Sequence, residues 1–461
     1  MTLSRCLILF VLFTPALSAQ TGGDPKKKKG TTEPPDGLKA LQHPDWRVRY
    51  RAAETLSKLG PLAKFAVPQL RDALKDKNTV VRVKAAEALW KINSTSPKTL
   101  LPILTQALKD KDATARAAAP AVIALLGAKA KPALPALRQA LKDPKGDVKL
   151  SVVTALGDLG PVARDSVADL LALVADKDYF LLEPFVGAAL GNLGEGAVPV
   201  LAKALVDDSL PKRRVAAYAL GSMGPPAAPA VGELAVAMKS DDIATRRAAA
   251  HALGRIGPVA RASVSPLENA LADQDALVRI EAAVAVWRIT GQPKHVPTLV
   301  KLLGDKSVGV RDSALQAIAI LKAGAGKAVD PVARLLGDKE LRIRAIITLG
   351  AIGPAARKVK GPLTKLLDDK DSEIQLRAAF SLWQITGDAK PSLKVMNETL
   401  STEEQYSQSI ILLGEMGAAA RPLLQTLVNL YRFEDLPADR KALGVAIQKI
   451  DPKLAKKLGI R

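Results

Sequence analysis

The sequence predicts an all-α fold, a right-handed superhelix of about thirteen stacked two-helix repeats. Three observations predict it. One pattern recurs about every 33 residues, the period of helical repeat arrays. The 461-residue chain is 48% hydrophobic but only 3% aromatic, so its core is built from small aliphatic side chains that suit closely packed helices. Gly-Pro pairs recur between the helical segments, where one helix ends and the next begins.

Each repeat carries one residue, usually basic, before an Ala-rich run, and we call this residue the marker. The segments 45–61, 78–93 and 275–291 show the pattern clearly. The marker is basic at Arg49, Arg82, Arg116, Lys149, Arg213, Arg246, Arg279, Arg311, Arg342 (or Arg344) and Arg440, whereas Glu183, Gln375 and Tyr406 take its place in three repeats. No single pair of helices can bury its apolar faces alone, so we expect the pairs to stack around one continuous core.

Two helices of about 13 residues are predicted in each repeat. After the marker, apolar residues recur with helical spacing, as at Ala85, Leu89 and Ile92, which predicts the second helix. The preceding segments, such as 67–76 and 296–305, predict the first helix. Gly tolerates the left-handed stop of a helix, and Pro suits the first turn of the next one.

The N-terminal residues predict export. Residues 1–19 combine Arg5, an apolar run over 6–13 and small residues near 16–19, which is the layout of a secretory signal peptide. The Lys-, Pro- and Gly-rich residues 20–36 predict a disordered tether, and 37–461 a solenoid whose first and last repeats act as caps. We therefore expect a periplasmic or extracellular protein without a transmembrane helix after cleavage.

The repeat resembles the HEAT repeat, particularly the short form of phycobilin-lyase-like proteins, whose hallmark is similar to VRxxAAxALGxLG. The family's proline in the first helix is matched by Pro68, Pro102, Pro135, Pro199 and Pro297. The resemblance implies an armadillo-type α-α superhelix with a hydrogen-bonded ladder of Asp and Arg along the inter-helix turns. On this chain the ladder pairs would be Asp76 with Arg82, Asp110 with Arg116, Asp207 with Arg213, Asp273 with Arg279, and Asp305 with Arg311.

The sequence predicts no catalytic residues, no cofactor and no metal site. One cysteine and three scattered histidines leave little material for metal binding or imidazole catalysis. GxSxG, P-loop and GxGxxG motifs are absent, as are the His-Glu dipeptides of iron-binding HEAT hydroxylases. Two alternatives stay open: a lyase-like protein acting on a chromophore, by fold analogy alone, and a basic HEAT-like nucleic-acid binder.

Two departures from the repeat bear on packing and binding. Trp90, Trp287 and Trp383 stand eight residues after the marker, where most repeats have Gly, Ala or Ser, and we expect each indole to widen or tilt its junction. The fifth repeat has an aromatic cluster, Tyr179, Phe180 and Phe185, which is either a contact patch or local filling around a bent helix.

Positions +2, +5 and +9 from the marker should face outward on the concave surface. There the middle repeats are uncharged and partly apolar, with Ala118, Ala121, Leu125, Ser151, Thr154, Phe185, Val215 and Tyr218. The candidate partner-binding residues are Tyr179, Phe180, Phe185, Tyr218, Arg255 and Arg288. They predict a non-catalytic scaffold that binds an extended polypeptide. The net charge of +21 would steer an acidic protein, a cell-envelope polyanion or an anionic membrane face. Nucleic acid would need a continuous basic track with stacking aromatics.

Overall fold

The fold was analysed in a computed structural model, which describes residues 36–175 and 181–460. Every regular element within these two ranges is a helix, which confirms the predicted all-α solenoid. The predicted signal peptide, nearly all of the tether, and Tyr179 and Phe180 lie outside the described residues.

Thirteen helix pairs follow one another along the described chain, with odd numbers for first helices and even numbers for second helices. The first helices are α1 (Asp36–Ala40), α3 (Val67–Ala73), α5 (Pro97–Ala107), α7 (Leu134–Ala140), α9 (Val167–Val174), α11 (Val198–Ala204), α13 (Val231–Ala237), α15 (Val264–Ala270), α17 (Val296–Leu302), α19 (Val329–Arg334), α21 (Lys360–Lys365), α23 (Lys390–Thr399) and α25 (Leu424–Phe433). The second helices are α2 (Trp46–Leu59), α4 (Thr79–Asn93), α6 (Ala113–Leu125), α8 (Gly146–Leu159), α10 (Glu183–Asn192), α12 (Leu210–Met223), α14 (Ile243–Ile256), α16 (Ala276–Thr290), α18 (Val308–Leu321), α20 (Arg342–Ile352), α22 (Ser372–Thr386), α24 (Tyr406–Met416) and α26 (Pro437–Ile450). A short helix, α27 (Pro452–Lys457), follows the last pair.

The first helices are shorter than the sequence predicts, because many begin or end as 3₁₀ turns. Their α-helical parts have between 5 and 11 residues. At Gly160 the backbone turns into a positive φ of 59°, and Pro161 then opens a 3₁₀ segment instead of an α-helix. The 3₁₀ segments are Gly60–Ala66, Gly127–Ala133, Gly160–Ser166, Glu195–Ala197, Pro225–Ala230, Gly257–Ser263, Lys322–Ala328, Leu335–Gly337, Gly353–Val359, Leu366–Asp368 and Gly417–Leu423.

Many second helices begin at a side-chain cap. The carboxylate of Asp112 accepts a hydrogen bond from the backbone N–H of Thr114, at the start of α6. Such a cap satisfies a backbone donor that has no partner within the helix. The same arrangement is found at Asp45, Asn78, Asp242, Asp275 and Asp371. Residues that the sequence places in turns therefore set where the second helices start.

The second helices pack directly on one another where a small residue stands eight positions after the marker. A Cβ atom built on Gly254 of α14 would lie 2.9 Å from the Cα of Ala285 in α16. Gly157 is in the same relation to Ala189, so α8 and α10 are equally close. Because α10 also packs on α12, the fifth repeat continues the stack in spite of its unusual sequence.

The most deeply buried core residues form three clusters along the stack, and the half-buried Leu271 packs against both the first and the second. The first runs from Leu41 to Ile289, the second from Ile280 to Ile385, and the third from Leu376 to Ala455. The boundaries fall in α16 and α22, the helices that carry Trp287 and Trp383. Direct packing between second helices is also reduced after both of these helices and after α4, which carries Trp90. An indole in place of a small residue thus coincides with looser packing of the second helices, which agrees with the predicted widening or tilting of these junctions.

Within residues 36–175 and 181–460, no single helix is long and apolar enough to cross a membrane. The adjacent segments Glu183–Asn192 and Glu195–Ala204 are long and apolar enough only when they are taken together, and the chain bends by 117° between them.

Candidate binding face

The arginine ladder links successive repeats. The Nε atom of Arg116 donates to a carboxylate oxygen of Asp143 at 2.5 Å, and Asp143 lies on the turn of the following repeat. The Nη1 atom of Arg116 donates to the backbone carbonyl of Asp110, on its own turn, at 2.8 Å. Arg49 with Asp76 and Arg246 with Asp273 repeat the carboxylate contact at 2.6 and 2.8 Å.

This geometry corrects the pairing that the family resemblance implies. In each of the five predicted pairs the arginine does contact its aspartate, but through the backbone carbonyl of that residue. A carboxylate of the next repeat contacts Arg116, and salt bridges of 3.6 Å join Arg213 to Asp241 and Arg311 to Asp338. The guanidinium group of an arginine that bonds to its own turn also faces the turn of the next repeat, where a carboxylate can reach it. The carbonyl contacts are Arg82 with Asp76 (2.6 Å), Arg213 with Asp207 (2.5 Å), Arg279 with Asp273 (2.6 Å) and Arg311 with Asp305 (3.1 Å).

The ladder carboxylates are held in their charged form. The hydrogen bond from Arg116 lowers the pKa of Asp143, although burial opposes it. At Asp110 the hydroxyl of Thr79 and the backbone N–H of Asp112 lower the pKa of the carboxyl. The side chains of Arg116 and Asp143 are only 13% and 7% exposed, so the ladder is structural and offers little charge to a ligand.

Two repeats without a basic marker use other chemistry at the ladder position. Glu183 accepts a hydrogen bond from Arg214 of the next repeat at 3.0 Å, which reverses the usual order of charges. Tyr406 donates its hydroxyl to Glu434 at 2.7 Å. Burial and the hydrogen bond to Glu434 raise the pKa of Tyr406. The sequence contained the signal for this pair, since Glu434 stands six residues before Arg440 as the ladder aspartates do.

The candidate partner-binding residues Phe185 and Tyr218 lie on adjacent second helices, α10 and α12. They are 41% and 51% exposed, and Leu125 of α6 is 45% exposed. A Cβ atom built on Gly187 would lie 2.7 Å from Cδ1 of Tyr218, so the tyrosine ring lies on the bare backbone of α10. Sequence reasoning missed Gly187, whose missing side chain makes room for the ring.

One expected member of this surface is buried. Val215, two residues after its marker, is only 3% exposed and belongs to the first core cluster. The outward positions along α6, α8, α10 and α12 are instead small or uncharged, except Asp158 of α8. We call these positions the central face: Ala121, Leu125, Thr154, Asp158, Phe185, Ala188, Asn192, Tyr218 and Ser222.

Arg255 and Arg288 lie beside the central face, on α14 and α16. Burial lowers the pKa of Arg288, the nearby Glu281 opposes this shift, and the charge of Arg255 adds to it. Glu281 itself lies 3.1 Å from Nδ1 of His251. Within the described part of the chain neither arginine forms a salt bridge, and Arg255 is exposed whereas Arg288 is half-buried.

The tryptophans are engaged within the fold. Trp90 is packed against the first core cluster with the Lys129 ammonium 5.1 Å from its ring centre, and Trp383 lies 5.4 Å from the ring of Phe380. Trp287 is packed against the second cluster. These contacts fit the interpretation of the tryptophans as packing variants. Over residues 36–175 and 181–460, no group of three or more His, Cys, Asp or Glu side chains is placed to hold a metal ion.

Comparison with known proteins places the chain by fold. Kap95p, from a structure described by its effect on the switch loops of RanGDP, has a TM-score of 0.51 at 13% identity over 90% of this chain and 66% of that one. Kap121p bound to Pho4p has a TM-score of 0.44 at 15% identity, over 92% and 54%. An engineered protein has a TM-score of 0.33 at 21% identity, over 78% and 98%.

This chain spans about half the length of the Kap121p chain, and no curated protein matches its sequence. The family model for HEAT repeats matches residues 35–124, 101–183, 198–286 and 264–340, which together make up more than half of the chain. This match confirms the resemblance seen in the repeat pattern. The chain belongs to the HEAT repeat family.

Proposed function

We propose that the protein is an exported, non-catalytic scaffold that binds an extended segment of a partner protein along its central face. The observation that carries the proposal is the exposure of Phe185 and Tyr218 on adjacent helices, in a chain with only 3% aromatic residues. Exposed aromatic side chains are the most frequent anchors of protein interfaces. Small and mostly uncharged neighbours leave their rings accessible.

The spacing of the helices suits an extended chain. Packed helices are about 8–10 Å apart, and an extended polypeptide rises about 3.3 Å per residue. Three residues of a partner would therefore span one repeat, and about nine would span α6 to α12. The second helices also pack more closely on one another than the first helices do, which supports a concave central face.

The charges beside the central face favour an acidic segment. Arg255 and Arg288 would meet carboxylates of the partner, and the net charge of +21 would speed their encounter at low ionic strength. The likeness of the fold to Kap95p, whose structure concerns its binding of RanGDP, supports a protein partner.

The test is affinity capture from extract of the native cells, followed by titration of the recovered partner. The double variant Phe185→Ala/Tyr218→Ser should bind at least roughly thirtyfold more weakly, because truncating an aromatic anchor costs about 2 kcal/mol or more. The control is Leu62→Ala/Val259→Ala, which removes apolar groups that are 81% and 60% exposed in two 3₁₀ segments. Equal losses in both variants, or no saturable partner, would exclude the central face.

Export is tested separately by intact mass spectrometry of the protein recovered from fractionated native cells. The predicted cleavage after residue 19 gives a chain that begins at Gln20. A full-length mass in the cytoplasmic fraction would contradict export without affecting the proposed binding face.

A further inference from the structure

The first-helix segments of repeats 9–11 carry a concentration of positive charge that the central face does not explain. Residues 291–302, 322–337 and 353–368 contain nine Lys and Arg against two Asp, a net charge of +7. The corresponding described segments of repeats 5–7, residues 160–174, 195–204 and 225–237, contain two basic and four acidic residues, a net of −2. The asymmetry lies within one side of the solenoid.

Eight of these cations form what we call the basic patch, and all eight are exposed. They are Lys301, Lys322, Lys327, Arg334, Arg357, Lys358, Lys360 and Lys365. Among the residues that the structure describes, Lys358 is the only one of the eight with a salt bridge, to Asp330 at 2.5 Å. Nearly all of the positive charge of the patch is therefore available to a ligand outside the chain.

The three segments lie side by side, so the charges form one surface. A Cβ atom on Gly324 would lie 3.1 Å from Pro293, which joins repeat 10 to repeat 9. A Cβ atom on Gly326 would lie 3.4 Å from the side chain of Ala355, which joins repeat 10 to repeat 11. The Lys358–Asp330 contact crosses the same junction. With helices about 8–10 Å apart, the patch extends over about 20 Å across the repeats.

We propose that the basic patch binds the anionic headgroup surface of a lipid bilayer and so holds the solenoid against a membrane, leaving the central face free for its partner. The patch lies on the first-helix segments, whereas the central face lies on the second helices, and it extends both along and across the repeats. Apart from Lys358, its lysines and arginines have no hydrogen-bond partner among the described residues that would position them for one rigid anion, whereas fluid headgroups can rearrange to meet them.

The composition of the patch also separates this occupant from others. The large exposed apolar side chains of the described chain, such as Leu62 and Phe433, lie outside it, and no aromatic residue interrupts it. Nucleic-acid surfaces for single strands combine cations with stacking aromatics. We therefore expect attachment through charge alone, which salt should reverse, since the Debye length is about 8 Å at physiological ionic strength.

The test is co-sedimentation of the full chain with vesicles of phosphatidylcholine and phosphatidylglycerol, with pure phosphatidylcholine as the comparison. The patch variant Lys327→Glu/Arg357→Glu/Lys360→Glu should reduce partitioning at least about tenfold, because every basic residue near an anionic surface adds to the attraction. The matched control is Lys75→Glu/Lys109→Glu/Lys142→Glu, three exposed lysines on inter-helix turns. This control variant changes the net charge by the same amount as the patch variant does, and both variants keep the N-terminal lysines.

Support requires salt-reversible binding to anionic vesicles that the patch variant loses and the control variant retains within about threefold. The proposal is overturned if the full chain does not sediment at low salt, if pure phosphatidylcholine binds equally, or if both variants lose binding equally. It is also overturned if soluble polyphosphate binds the patch more tightly than the vesicles do, since the occupant would then be a polyanion in solution. Circular dichroism of each variant checks that the helices are intact.

Discussion

At the scale of single residues, the ladder shows how one side chain can hold two repeats together. Arg116 donates to a backbone carbonyl of its own turn and to the carboxylate of Asp143 in the next repeat. The two side chains are 13% and 7% exposed, so neither charge could be rehydrated if the other were removed. Charge-assisted hydrogen bonds of this kind are about twice as strong as neutral ones.

Arg116→Ala should therefore lower the free energy of unfolding by about 3 kcal/mol, because it leaves the Asp143 carboxylate buried without its cation. Urea denaturation followed by circular dichroism measures the change. Lys58→Ala is the control, since Lys58 and Glu54 are 73% and 36% exposed at 3.6 Å, and such a pair contributes less than about 0.5 kcal/mol. A similarly small effect at Arg116 would mean that water reaches the ladder.

The pKa of Asp143 predicts how the ladder responds to acid. The hydrogen bond from Arg116 lowers this pKa below its ordinary value, so the folded protein binds a proton at lower pH than the unfolded chain does. The stabilisation by Asp143 is complete above the unfolded pKa of about 3.9 and is lost as the pH falls through the folded value.

Asp143→Asn should accordingly destabilise the protein at neutral pH, and the difference from the wild type should shrink as the pH is lowered below about 4. Urea midpoints over this range measure it. Asp112→Asn is the control, because asparagine caps a helix about as well as aspartate. A constant difference between Asp143→Asn and the wild type at every pH would show that the carboxylate charge is not responsible.

At the scale of the helix, the residue eight positions after the marker decides how closely two repeats approach. Glycine allows contact between backbones, as between Gly254 in α14 and Ala285 in α16. Tryptophan at the same position fills the space with an indole and coincides with reduced packing between second helices. One side chain per repeat thus sets the local geometry of the stack.

Gly254→Ala should destabilise the protein by about 1–3 kcal/mol, because the new methyl group would lie 2.9 Å from a Cα atom that cannot move without shifting α16. Gly232→Ala is the matched control in α13, where nothing lies within 4 Å of the added atom. There the loss of glycine's flexibility should stabilise the helix by up to about 1 kcal/mol. Thermal unfolding of both variants measures the two effects. A stabilising effect of Gly254→Ala would contradict the close approach of α14 and α16.

At the scale of the whole molecule, the most deeply buried apolar residues of the described solenoid fall into three clusters, whose boundaries lie in α16 and α22. In repeat arrays each unit contacts only its neighbours, so cooperativity depends on the strength of every junction. The junction after α22 is the weakest between successive second helices, and the third cluster, Leu376 to Ala455, lies almost entirely beyond it.

Hydrogen exchange followed by mass spectrometry should show this division. Amides of α24 and α26 should exchange together and with lower protection than those of α12 and α14, because local opening at a thin junction costs less than global unfolding. The helices α12 and α14, joined through Gly221 and Ala252, provide the internal control. Equal protection along the chain would indicate a single cooperative unit.

Much of this architecture could be predicted from the sequence because the same pattern occurs thirteen times. The helical spacing of Ala85, Leu89 and Ile92 predicts the buried stripe of α4, and all three are buried. The exposure of Phe185 and Tyr218 agrees with their expected positions. The 3₁₀ segments could not be predicted, because glycine followed by proline is compatible with either kind of first turn.

The sequence by itself determined the class of fold, the helix pairs and the family, because these depend on periodicities and turns within each repeat. Only the tertiary structure decided which aspartate meets which arginine, that Val215 is buried, that Gly187 receives the ring of Tyr218, and that packing is reduced after the helices that carry Trp287 and Trp383. The physical reason is that these are contacts between repeats. They depend on the distance and the angle between neighbouring helices. The spacing of residues along the sequence does not determine that geometry.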